Sequence, residues 1–235
     1  MTDYVLVHGA WHGGWCWEPV ARRLRDAGHR VFTPTLTGLG ERAHLLTPQV
    51  GLRTHVADIL AVLRYEDLHD VILVGHSYAG LVVREAADQA PDRVARIVLL
   101  DAWVGRDGAS MESLAPNWFR NWLDSAADER TIPVPPVSTL GVTDPGDVAW
   151  LQSRMTPQPR RTFAEPTRLA GAVEHIPCRA VVCTPDNGMP FAAWAQEFGW
   201  EVIALAAGHD AMVTSPTGLA EILLEEAASA AGRAG

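Results

Sequence analysis

Val71-Ile72-Leu73-Val74-Gly75-His76-Ser77-Tyr78-Ala79-Gly80 runs from four consecutive branched apolar residues into a serine set between small neighbours. The apolar run reads as a buried strand, and the stretch from about Tyr78 to Ala90, closed by Pro91, reads as a helix. A serine at such a strand-to-helix turn can sit on a strained elbow, with its hydroxyl lifted to the sheet edge and the helix N-terminus aimed at it. The usual pattern is G-x-S-x-G; here Ala79 holds the last position and glycine follows one residue later. The methyl group is expected to crowd the helix against the strand without blocking the turn. A serine acting only as an N-cap is the plainer alternative.

Outward from this turn the chain alternates short apolar runs with helix-period stretches. Tyr4–Val7, Val31–Leu36, weakened by Pro34, and Ile97–Leu100 read as strands. Trp17 to Ala27, stopped by Gly28, and Leu52 to Leu63 read as helices. Alternation of this kind builds an α/β fold with a mostly parallel sheet covered by helices on both faces. From Gly105 to Ile176 the rhythm stops and Pro, Trp, Ser and Thr take over. Helical pieces are expected at Pro116–Ala127 and Asp147–Met155. The βα rhythm resumes with strands at Ala180–Cys183 and Val202–Leu205, a helix at Pro190–Phe198 and a last one after Pro216. The expected organisation is a core at 1–104, a mainly helical cap at 105–176 over the carboxyl edge of the sheet, and the rest of the core at 177–235, about six strands in all. Ala227 to Gly235 reads as small-residue coil.

Composition narrows the function. With 235 residues, 48% hydrophobic and 20% charged, the chain can bury a sizeable core. Its net charge of −9 disfavours nucleic acid and anionic membranes. No run approaches the length of a membrane span. All 19 basic residues are arginine, and the three cysteines form no CxxC pair. With no leader ahead of the first strand, the expectation is a reduced, cytoplasmic, bacterial protein. Its oligomeric state is open, with a homodimer among the options.

A serine nucleophile needs a base, and the base an orienting acid, both following it in chain order. His209, in Ala206-Ala207-Gly208-His209-Asp210, stands after the last strand, where it can return to the sheet edge. His76 points away on an elbow, His175 lies in the insertion, and the other six histidines precede the serine. For the acid, Asp186 in Thr184-Pro185-Asp186-Asn187-Gly188 is favoured, Asp101 at the end of the preceding strand is its competitor, and Asp210 reads as a solvated loop charge. The oxyanion donors are expected to be the backbone N–H groups of Tyr78 and of Ala10, the latter in His8-Gly9-Ala10-Trp11-His12-Gly13-Gly14-Trp15. Trp118, Phe119 and Trp122 fall at helical spacing in the cap and are pocket-wall candidates. Gly38-Leu39-Gly40-Glu41-Arg42-Ala43, with Asp58 18 residues beyond Gly40, imitates a dinucleotide fingerprint. Pro48 and Gly51 break the helix that fingerprint needs.

The Val5–Trp15 start, the Gly75–Gly80 elbow and Cys183-Thr184-Pro185-Asp186-Asn187-Gly188-Met189-Pro190 together resemble the α/β-hydrolase fold family. More narrowly they resemble its branch of plant methyl esterases, hydroxynitrile lyases and bacterial EstC-type esterases. The resemblance implies the serine-esterase triad, adds support for Asp186, and covers nearly the whole chain, most weakly at 105–176. Lyases of that branch carry threonine at the position of Gly9 and lysine directly after the triad histidine, where this chain has Asp210. The implied activity is a serine carboxylic ester hydrolase acting on small to medium apolar esters, aryl or methyl among them, with no metal or organic cofactor. A lactone or natural-product hydrolase and a ligand-binding protein on a hydrolase scaffold are the alternatives.

Overall fold

The computed structural model describes residues 1–185 and 188–231. Among the described residues, six parallel strands form one sheet in the spatial order Arg30–Phe32, Asp3–Val7, Val71–His76, Val94–Leu100, Cys178–Thr184, Glu201–Ala206. These are β1 (Asp3–Val7), β2 (Arg30–Phe32), β3 (Val71–His76), β4 (Val94–Leu100), β7 (Cys178–Thr184) and β8 (Glu201–Ala206). Between them run α1 (Glu18–Asp26), α2 (Leu52–Tyr65), α3 (Ala79–Gln89) and α8 (Phe191–Glu197), and α9 (Ala211–Thr214) with α10 (Pro216–Ala231) close the chain. β2 is shorter than its apolar run, because Pro34 has no N–H to donate to the ladder. A 3₁₀ turn, Gly40–Leu45, takes up the second half of the false dinucleotide fingerprint, and the Asp58 carboxylate is occupied by Thr37, accepting from its N–H at 2.7 Å and its hydroxyl at 2.9 Å. The coil expected from Ala227 onward is instead helix as far as Ala231. Alanine has the highest intrinsic helix propensity, and Leu219, Leu223 and Ala227 bury one stripe of α10.

Alternation along the strands sorts the core into two layers. Tyr4, Leu6, Ile72 and Val74 point to one face, against α1 and α10. Val5, Val7, Val71 and Leu73 point to the other, against α2 and α3. A strand pair buried on both faces needs this uninterrupted apolar run.

The excursion between β4 and β7 carries α4 (Met111–Leu114), α5 (Asn117–Ala126), α6 (Pro145–Gln152) and α7 (Arg161–Ala164). It also contains β5 (Thr131–Ile132) and β6 (Gln158–Pro159), which pair antiparallel to each other outside the main sheet. It is anchored on the loop after β1. Trp11 donates its N–H to Gln158 Oε1 at 2.9 Å and its indole N–H to the Ile132 carbonyl at 3.2 Å, and its own carbonyl accepts Thr156 N–H at 2.9 Å. A second anchor is the close crossing of Gly141 and Gly208, where a Cβ on Gly141 would lie 2.6 Å from Gly208 Cα.

Candidate active site

β1, β3, β4, β7 and β8 end at the same edge of the sheet, so the residues following each converge there. Ser77 follows β3 in the left-handed region, at φ +52°. A non-glycine residue rarely adopts that conformation, and here it is held by Ser77 N–H donating to the Leu100 carbonyl and by the Ser77 carbonyl accepting Gly80 N–H and Trp103 N–H. The elbow depends on glycine at two positions. A Cβ at Gly75 would press on Val83 and on the Ala79 carbonyl, and one at Gly80 would collide with the Trp103 carbonyl. Gly80, not residue 79, faces that carbonyl, which is why the shifted glycine still serves the turn.

His209 Nε2 lies 3.0 Å from Ser77 Oγ, and its Nδ1 lies 3.0 Å from Asp101 Oδ2. A carboxylate only accepts, so Nδ1 carries the hydrogen and Nε2 presents a lone pair to the serine hydroxyl. Asp101, itself at φ +41°, accepts Cys183 N–H with its other oxygen at 2.8 Å. The structure thus brings Ser77, His209 and the competitor Asp101 together. Asp186 lies outside the described residues. His76 donates its Nε2–H to the His209 carbonyl at 3.0 Å, away from the serine hydroxyl. Tyr78 follows Ser77, and Ala10 follows Gly9, which packs against Ser77; among the described residues no acceptor takes either backbone N–H, while the neighbouring Trp11 and Gly80 N–H groups are both engaged.

Gly9 is packed under the elbow, where a Cβ would lie 2.8 Å from His76 Nδ1 and 2.9 Å from Ser77 Cβ. Asp210, read from sequence as solvated, is fully buried and pairs with His12 at 3.0 Å. The close crossing of Gly208 against Gly141, and Asp210 N–H donating to the Leu140 carbonyl, hold it under the excursion.

Above Ser77 and His209 opens a cavity of about 370 Å³. Trp118, Phe119 and Trp122 line it. Trp11, Trp103 and Phe191 also line it and were not assigned to it from sequence. Phe191 stacks on the His209 ring at 5.7 Å. Among the described residues, the polar side chains in the wall are Ser77, His209 and Thr139, and none of those lining it is an acid, an arginine or a lysine.

An elbow serine, a tautomer-locked histidine and an enclosed apolar chamber on a parallel sheet agree with the family comparison: the model of the alpha/beta hydrolase family matches residues 4–222. The chain belongs to that family. Over 95% of its length this hydrolase is 40% identical to the carbendazim hydrolyzing esterase of Nocardioides sp. (strain SG-4G), covering 98% of that protein. Over 94% of its length it is 28% identical to salicylic acid-binding protein 2 of Nicotiana tabacum, covering 95% of that protein. Among solved structures, an extracellular alpha/beta-hydrolase from a Paenibacillus species, described as sharing structural and functional homology with the tobacco protein, aligns at a TM-score of 0.83 and 25% identity, over 96% of this chain and 98% of that one. This hydrolase is an enzyme whose relatives include esterases. Among its described residues, no helix is long and apolar enough to cross a membrane.

Proposed function

We propose that this hydrolase cleaves uncharged, apolar carboxylic esters, aryl and methyl esters included, through an acyl-enzyme on Ser77. The observation that carries the reading is the chain Ser77–His209–Asp101 opening into an aromatic chamber whose described lining residues carry no acid, arginine or lysine. Ser77 Oγ attacks the ester carbonyl as His209 Nε2 takes its proton. Asp101 keeps the imidazole in the required tautomer and stabilises the imidazolium that forms. The oxyanion is received by the Ala10 and Tyr78 N–H groups. Donors fixed beforehand in a dry site are worth about 10²–10³ in rate each. His209 then returns the proton to the departing alkoxide, activates a water against the acyl-enzyme, and the carboxylic acid leaves.

The chamber favours flat apolar groups, since aromatic walls reward burial and an uncompensated charge inside would be desolvated at high cost. One relative is named as a carbendazim hydrolyzing esterase. Carbendazim therefore belongs beside simple esters in a substrate panel. Cys16, Cys178 and Cys183 are all free, which fits a reducing, cytoplasmic setting.

The test is hydrolysis of p-nitrophenyl butyrate by wild type and Ser77→Ala, with circular dichroism confirming that both fold. Turnover lost only in the variant is expected. A Ser77→Ala protein as active as wild type, or a folded wild type inert toward the ester panel, overturns the reading.

A further inference from the structure

Beneath the site lies a buried pair that the reaction above does not use. His12 Nδ1 is 2.7 Å from the Ala10 carbonyl and His12 Nε2 is 3.0 Å from Asp210 Oδ2. A carbonyl oxygen can only accept, so Nδ1 carries a hydrogen. The second contact then needs one more proton, shared between Nε2 and a carboxylate. The pair therefore holds one proton more than a neutral histidine, in a place where both side chains are at most 1% exposed. It also joins two halves of the site: Ala10 is the expected oxyanion donor after β1, and Asp210 directly follows the general base after β8.

We propose that His12, kept as an imidazolium by Asp210, is a positioning residue that clamps the oxyanion loop to the loop carrying His209. The inference rests on the esterase reading above. The Ala10 carbonyl is set by His12 on one side of its peptide while Gln158 holds Trp11 N–H on the other. With both groups of the Ala10–Trp11 peptide fixed, the adjoining Gly9–Ala10 peptide, which bears the Ala10 N–H, has little room to turn. Asp210 is anchored in turn by its N–H on the Leu140 carbonyl and by its carbonyl accepting Val213 and Thr214 N–H.

The surroundings favour the ion pair. Burial works against the charge on His12, but the Asp210 carboxylate and the Ala10 carbonyl outweigh it and raise the imidazole above its ordinary pKa. Burial likewise opposes charge on Asp210, and His12, His76 and His209 nevertheless bring its carboxyl below the usual range. The other titratable groups facing the pair are His8 after β1, Cys16 in the turn before α1 and Cys183 on β7. Burial holds His8 and His76 neutral and both thiols protonated, which leaves the pair its own counter-charge. Trp15 covers the His12 ring at 5.7 Å and separates it from solvent.

The test combines kinetics with NMR of the full chain. His12→Phe fills the space without donating and is expected to lower kcat by about 10²-fold with KM little changed, since the lost alignment matters at the transition state. Asp210→Asn can donate an amide N–H to a neutral His12 and so keep the clamp without the charge. It is expected to restore most of that loss and to remove an alkaline limb of kcat present in wild type. In wild type, ¹⁵N-edited spectra should show His12 protonated on both nitrogens at neutral pH. Wild-type kcat in folded His12→Phe, the alkaline limb persisting in Asp210→Asn, or a His12 neutral in wild type each overturns the proposal. The NMR result decides if His12→Phe does not fold. An inactive wild type whose His12 is doubly protonated would sink the esterase reading and not the ion pair.

Discussion

Asp101 and His209 meet across the end of the sheet, Oδ2 to Nδ1 at 3.0 Å, while the other Asp101 oxygen accepts Cys183 N–H at 2.8 Å. The carboxylate is thus pinned between β4 and β7 before it orients the base. Asp101→Asn is expected to leave the fold intact and reduce kcat by about 10³–10⁴-fold, because the amide favours the wrong imidazole tautomer. Asp186→Asn is expected to cost less than about tenfold. Steady-state kinetics on both variants check the assignment, and the reverse ranking would move the acid to the loop after β7.

The space under the elbow makes Gly9 a point of intolerance. Gly9→Thr puts a branched side chain against His76 Nδ1 and Ser77 Cβ, where even a Cβ is too close at 2.8 and 2.9 Å. Overpacking of this kind typically costs about 1–3 kcal/mol. The expected outcome is a lowered melting temperature together with a drop in kcat as Ser77 is displaced. A variant with wild-type kcat and stability would show that the elbow can relax.

Buried neutral histidines set the acid limit of stability. Burial pushes His8 down to about 3 and His55 to about 4. Each is locked neutral by one donor and one acceptor contact. His8 donates to the Gly9 carbonyl and accepts Leu36 N–H; His55 donates to the Thr37 carbonyl and accepts the Tyr78 hydroxyl. In the unfolded chain both take a proton near pH ~6.5, so below that the unfolded state binds more protons and native stability falls as pH falls. The expected loss is about 1 kcal/mol per pH unit per histidine between about pH 6.5 and 5, above the range where ordinary carboxylates titrate. His12, with its raised pKa, acts oppositely: its contribution is full below about 6.5 and fades as pH rises through its native value. Denaturant unfolding from about pH 5 to about pH 9 measures both arms, and a stability flat from about pH 6.5 to 5 would contradict the first.

At the opposite edge of the sheet, Glu226 on α10 is fully buried between Arg96, at 2.9 Å, and Arg179. Removing one member of a buried ion network leaves the rest uncompensated, at about 3–5 kcal/mol. Glu226→Gln is therefore expected to lower stability by that order, read from urea unfolding, while kcat of the folded fraction stays unchanged.

The sequence alone carried the alternating βα order, the two-faced sheet, Ser77 and His209. These are legible because they rest on local relations: apolar runs of strand length, a serine between small residues at a strand's end, a histidine after the last strand. Only the tertiary structure shows Asp101 meeting His209. Asp101 and Asp186 both follow strands that end at one edge, and local pattern does not measure the distance from either to an imidazole. The same holds for Trp11 and Trp103, drawn into the chamber from loops after β1 and β4, and for Asp210, whose charge suggested solvent. Its burial depends on His12, 198 residues earlier in the chain, and a charge finds such a partner only once the fold has closed around both.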